Sequence, residues 1–200
     1  VDLIRANLPE VNLVDADLVG ADLVGANLKR AYLAQADLTG ANLKEADLMD
    51  AHLENANLEA ADLRDADLTL ANMRGAFLEA ADLRGAFLAD ADLTRAGLYE
   101  TRLEKAYLNG AELMGAYLLG AALVGAALVM ANLKRAHLLA ADLQGAHLEQ
   151  ANLTAANLRG ADLRGCFLKG AKLEGAKYNS ETRCPYYFDL DKAGAIKVSG

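Results

Sequence analysis

Leucine falls on every fifth residue of this chain with almost no exception. In one register from Val1 to Ser180, unbroken by insertion or deletion, the third position of a five-residue unit is Leu in 34 of 36 copies, the others being Met73 and Tyr178. The first position is Ala in 32 copies, broken by Val1, Val11, Thr101 and Cys166, and the second is Asp or Asn in 20. An amphipathic helix requires apolar residues every three to four positions and a half-buried strand requires them every two. Leu every five satisfies neither, since at about 100° per residue it would drift around every face of a helix. A fixed short period instead signals a repeat architecture. Each unit is expected to make one side of a coil, pointing Leu and Ala inward and its second, fourth and fifth positions outward. Asp and Asn at the second position suit hydrogen bonds to nearby backbone. Gly at the fifth (Gly20, Gly25, Gly40, Gly85) suits a tight corner.

Units such as Ala16-Asp17-Leu18-Val19-Gly20 and Ala21-Asp22-Leu23-Val24-Gly25 resemble those of the pentapeptide repeat proteins, and the resemblance covers residues 1–180. It implies an all-β fold: a right-handed quadrilateral β-helix with four units per coil and about nine coils. At the inter-strand spacing the rod would be roughly 43 Å long. Leu18 would then stack on Leu38, each Leu contributing roughly 1.5–3 kcal/mol by burial. Ala at the first position would be the small partner that lets the coil close, and a larger residue there would overpack.

Residues 181–200 leave the register and read as a separate C-terminal cap. Tyr186, Tyr187 and Phe188 are expected to be buried over the end of the solenoid, which needs closing against edge-to-edge association. Thr182-Arg183-Cys184-Pro185 resembles the tail of cyanobacterial and chloroplast-lumen members of the family. Cys184 stands where that pattern has Phe, and Leu190 where it has a second Pro. The chain begins inside a repeat without an initiator Met, the expectation being a trimmed or processed N-terminus. Localisation is therefore open: cytoplasm is favoured, with thylakoid lumen or periplasm as alternatives. Two cysteines make no disulfide framework, and Cys166 reads as a small buried apolar side chain in place of Ala.

The formal net charge is −8. It is polarised along the chain, with 19 acids and 8 bases in residues 1–100 against 9 and 12 in residues 101–200. Acids are densest over residues 37–67, where nine stand against Lys44 and Arg64. Glu112 is the only charge in residues 106–133, but the five-residue rhythm persists there and a membrane span makes no such demand.

Seven successive second positions, from Gly97 to Ala127, lack Asp or Asn. Outward residues around them (Tyr107, Met114, Tyr117, Leu119, Val124, Val129, Met130 and Leu139) are read as a contiguous apolar patch and a candidate partner interface. Twenty-residue stacking would set Phe87 beside Tyr107 and Tyr117 beside His137, which equally serves the rod itself. Thr101 and Arg102 mark a place where a bulge would bend the rod.

Nothing in the sequence supports catalysis. His52, His137 and His147 occupy second positions without cysteines at metal-ligand spacing, no nucleophile or phosphate-binding motif occurs, and a convex rod offers no concave pocket. Stacked pairs such as Asp62 over Asp82 and Asp142 over Asp162 have Arg64, Arg84 and Arg164 close by to compensate them. No cofactor or metal is expected. The expected function is a rigid scaffold or interaction module for an unidentified protein, without membrane or direct nucleic-acid binding, the monomer being slightly favoured. The alternative comes from family members that resemble duplex DNA and occupy the DNA site of gyrase. It would use Asp37, Asp47, Asp50, Asp62, Asp65 and Asp67. The basic C-terminal half and the lack of an acidic stripe oppose it, as does a capped C-terminal end where those members pair.

Overall fold

The computed structural model describes residues 1–199. Each second-position residue pairs in parallel with the residue twenty further on, from Asp2 with Asp22 through to Asn157 with Lys177. Twenty residues hold four units, so the second positions stack into four columns, which start at Asp2, Asn7, Asn12 and Asp17 and are numbered in that order. The four units between one paired residue and the next make up a row. Pairing in the repeats is one residue long because a turn follows at once. Only Lys177–Tyr178 (β1) and Ile196–Lys197 (β2) pair over two residues.

The unit Asn42 to Ala46 shows how the backbone is satisfied. The Asn42 amide donates to Ala21 O in the row before (2.9 Å), while the Leu43 and Glu45 amides donate to Asp62 O and Arg64 O in the row after (2.7 and 2.9 Å). The Ala46 amide closes a turn on Leu43 O (3.0 Å). One amide remains, that of Lys44, and it donates to the Asn42 side chain (3.4 Å). This explains the Asp/Asn preference. Nineteen of the 20 such side chains accept the amide two residues on, at 2.9–3.4 Å. The exception is Asn7, whose target would be Pro9, a residue with no N–H.

The fifth position closes the turn. Every one of them from Arg5 to Gly175 has a positive φ, between 52° and 75°, as the third residue of a type II turn requires. Gly is the residue suited to this, yet 21 of the 35 are not Gly.

Leu and Ala at the third and first positions fill the interior, and those positions are buried without exception from Ala21 to Leu163. Leu3, Leu8, Val11 and Leu13, with a neighbouring row on one side only, are half-buried. Thr101 does not make the expected bulge. Its ladder partners Asp82–Arg102–Ala122 remain in register, and its hydroxyl is buried, donating to Leu78 O at 2.8 Å. That carbonyl already accepts the turn amide of Ala81 and has a second lone pair free, so an internal hydroxyl is accommodated with the register kept, the one local change being a turn bond from the Thr101 amide to Leu98 O lengthened to 3.4 Å. Cys166 repeats the solution, its buried thiol donating to Leu143 O at 2.9 Å.

After Ser180 the spacing changes. Arg183 follows Asp162 in the first column at twenty-one residues instead of twenty, and β2 returns to β1 at nineteen. Between these pairings Pro185 and Leu190 are buried and Phe188 packs against the core. The expectation that all three tail aromatics would be buried is corrected: Tyr186 is fully exposed and Tyr187 is 57 % exposed. Pro185 and Leu190 take the interior. Tyr187 stays outside, its hydroxyl donating to the Cys166 carbonyl, with Tyr186 edge-on against it. Cys166 and Cys184 are free thiols.

Candidate interaction surface

Outward side chains stack one row apart, so each column has a character of its own. The first is an ion-pair ladder. Arg64 forks onto Asp62 (Nε–Oδ1 2.8 Å, Nη2–Oδ2 2.5 Å), Arg84 onto Asp82 and Arg164 onto Asp162, with Arg102 and Arg183 adding 3.3 and 3.5 Å contacts to Asp82 and Asp162. Hydrogen bonds from the arginine side chains hold the Asp62 and Asp162 carboxyls below the usual range. The third column is mixed, with His52 stacked on Tyr32 (5.0 Å).

The second and fourth columns, which are never consecutive around the coil, turn aromatic from near their midpoints onward. In the second, Phe87 stacks on Tyr107 (ring centroids 5.0 Å), Ala127 follows, and His147 stacks on Phe167 (4.5 Å). Leu70, Val129 and Met130 flank this strip, Met130 being 65 % exposed. It holds two open clefts of about 490 and 610 Å³, one beside Phe167, Lys169 and Tyr187, the other beside Asp90, Asn109, Val129 and Met130. In the fourth column the exposed Phe77 is followed by Gly97. Tyr99 stacks on Tyr117 (5.8 Å), which stacks on His137 (4.8 Å), with Leu119 and Leu139 alongside.

The candidate residues therefore do not share one patch. Tyr107, Val129 and Met130 fall on the second column; Tyr117, Leu119 and Leu139 on the fourth; Val124 on the first; Met114 on the third. Neighbours in sequence go to different columns because the period is twenty. Phe87, already set beside Tyr107 by twenty-residue stacking, is joined in the two strips by Phe77, Tyr99 and Phe167, and reading all outward positions at intervals of twenty would have found these three. Within the zone, Tyr99, Glu104, Met114, Leu119 and Val124 have no Asp or Asn two residues earlier to accept their amides. The Val129 amide instead reaches Asn109 Oδ1 one row away (3.1 Å).

The acidic candidates also divide. Asp47, Asp50 and Asp67 lie on the second column, Asp62 and Asp65 on the first, Asp37 on the fourth. Several are paired: Asp47 with Lys29 (3.1 Å), Asp50 with Arg30 (3.7 Å), Asp62 with Arg64 (2.5 Å). Hydrogen bonds from Thr39, side chain first, lower the Asp37 carboxyl. Among the described residues no cluster of three or more His, Cys, Asp or Glu stands at metal-binding distance, and no helix is long and apolar enough to cross a membrane. Burial pushes the Cys166 thiol up to about 12, which leaves it protonated and a poor nucleophile at neutral pH.

The sequence profile of pentapeptide repeats matches residues 1–33, 26–65, 61–98, 71–110, 96–135 and 131–170. Among solved structures, the chain is 34 % identical to HetL from the cyanobacterium Nostoc sp. strain PCC 7120, a pentapeptide repeat protein involved in heterocyst differentiation regulation. The match covers 92 % of this chain and 86 % of that one, with a TM-score of 0.58. QnrB1, a plasmid-mediated fluoroquinolone resistance protein, shares the fold at 18 % identity, with 90 % of each chain covered and a TM-score of 0.79. A pentapeptide repeat protein of the Arabidopsis thaliana thylakoid lumen is 32 % identical over 56 % of this chain and 70 % of that one, with a TM-score of 0.27. No curated protein matches the sequence.

Proposed function

We propose a function from one premise: this chain belongs to the pentapeptide repeat family. The reading is a non-catalytic rigid scaffold, a right-handed four-sided rod of about nine coils with residues 181–200 closing its end, that binds a protein partner through an outward apolar strip. The observation that carries it is the fourth column, where Phe77, Tyr99, Tyr117 and Leu119 are all exposed on one side. Monomeric proteins seldom leave such a run open to water, and aromatic residues are enriched at interfaces. A regulatory role for the similar Nostoc protein supports an interaction partner over a substrate. Replacing Leu119 and Leu139 together by Asp tests the reading in a partner screen of cyanobacterial extract by crosslinking. A partner captured by the parent chain and lost with the double variant, at unchanged thermal stability, is the expected result. Equal capture by both would remove the fourth column from the reading.

Mimicry of duplex DNA toward gyrase is the second reading. Asp47, Asp50 and Asp67 on one column favour it, while Lys29 and Arg30 beside two of them weaken the field such mimicry needs. Titration into a gyrase supercoiling assay separates the two. The scaffold reading expects no inhibition, and inhibition at low micromolar protein would replace it with the second.

A further inference from the structure

We propose that the second column is a self-association surface, on which a second copy of this chain docks antiparallel, centred on Ala127. The strip is arranged symmetrically about that residue. Two stacked pairs, Phe87–Tyr107 before it and His147–Phe167 after it, stand at equal row distances on either side. A two-fold axis lying in the face, perpendicular to the rod and crossing the column at Ala127, reverses the order of rows but keeps each position within its unit. Phe87 of one copy then meets Phe167 of the other, Tyr107 meets His147, and Ala127, Val129 and Met130 each meet themselves. Such an isologous contact closes at two subunits. A small residue at the axis lets the two faces approach, while the rings to either side overlap.

Charge selects the antiparallel orientation. The same rotation brings the unit of Asp90 opposite the unit of Lys169. Both side chains are exposed, and among the described residues neither has an ion-pair partner in its own chain. Asp90 lines one open cleft of the strip and Lys169 the other. In the paired copies Lys169 enters the cleft lined by Asp90, and Asp90 enters the cleft lined by Lys169 and by Glu149, whose carboxylate lies 3.5 Å from His147 Nδ1. The rotation superposes the rows from Phe87 to Phe167 and leaves Asp47 and Asp50 beyond the end of the neighbour, whereas a parallel pair would bring Asp47, Asp50 and Asp67 against their own copies. The strip from Phe87 to Phe167 spans four ladder steps, roughly 19 Å, which is short for a permanent interface. The dimer is therefore weak and concentration-dependent. It leaves the fourth columns of both copies free, so this proposal stands apart from the partner assigned there.

Sedimentation equilibrium of the full chain from about 1 to 500 µM, spanning the range of weak complexes, should show a reversible monomer–dimer equilibrium. Asp90→Lys and Lys169→Asp should each raise the dissociation constant roughly tenfold, and the double charge swap should restore it. Lys is compatible with the backbone at position 90, since Lys105 holds the same conformation (φ 59°). Ala127→Cys should give a covalent dimer on mild oxidation, and Ala122→Cys, on the first column, should not. A monomer throughout the range overturns the proposal, as does a double swap that fails to restore association or crosslinking that is equal at positions 122 and 127.

Discussion

A left-handed backbone costs an ordinary side chain about 1–2 kcal/mol, yet 21 fifth-position residues, including Leu70 and Met130, adopt one. The turn imposes the conformation, so it belongs to the position and not to the residue type. Gly sits at 14 of these 35 corners. The sequence pointed to the role of Gly there, but the 21 strained neighbours were illegible because their side chains do not advertise a positive φ. Two substitutions isolate the effect. Gly145→Ala meets no atom within 4 Å, so only backbone strain changes, and it should lower unfolding stability by about 1 kcal/mol. Ala60→Gly, where φ is 55°, should raise it by a similar amount. Urea denaturation checks both, and equal stability of all three proteins would refute the account.

At the scale of the column, one Asp serves the backbone and its neighbours together. Asp162 accepts the Arg164 amide at 3.1 Å and the Arg164 guanidinium at 2.6 Å, while Arg183 approaches to 3.5 Å. The side-chain hydrogen bond from Arg164 is the leading reason its carboxyl lies below the ordinary 3.8. A carboxyl depressed on folding stabilises fully above its unfolded pKa and loses that contribution as pH falls through the folded value. The denaturation midpoint should therefore hold between about pH 5 and 7 and drop below about pH 4. Asp162→Asn should lower stability at pH 7 and flatten part of the acid decline; an unchanged pH profile would show the ladder to be inert. The pairing of Asp with Arg two residues on was legible from spacing alone. The aromatic columns were legible only in fragments, as Phe87 with Tyr107 and Tyr117 with His137. Residues 107–139 read as one patch along the chain, but the twenty-residue period divides them among four columns. Thr101 was misread for a related reason, since nothing in a linear sequence shows that Leu78 O is within reach.

For the molecule as a whole, each row bonds only to the rows before and after it, so the rod is close to one-dimensional. The number of residues between two side chains then decides whether they share a column. Excising residues 111–115 should leave a folded rod, since Leu and Ala stay inward. It would also move Phe87 and Tyr107 off the column of His147 and Phe167, and self-association should be lost. Excising residues 21–40 removes one full period and should shorten the rod while leaving self-association intact. Circular dichroism and sedimentation together distinguish these outcomes from simple unfolding. If both excisions behave alike, the column assignment is wrong.

The spacing of twenty-one between Asp162 and Arg183, followed by the return at nineteen, carries a consequence for size. A lattice in which every layer templates an identical next layer has no inherent terminus, and it would go on adding layers, its own or another molecule's, as a crystal does. One surplus residue makes the final layer unlike its template, so growth has nothing to copy. At this end of the rod a counting error kept in place thus withholds a surface that a neighbour could copy, and correcting it would expose a layer fit for edge-to-edge stacking.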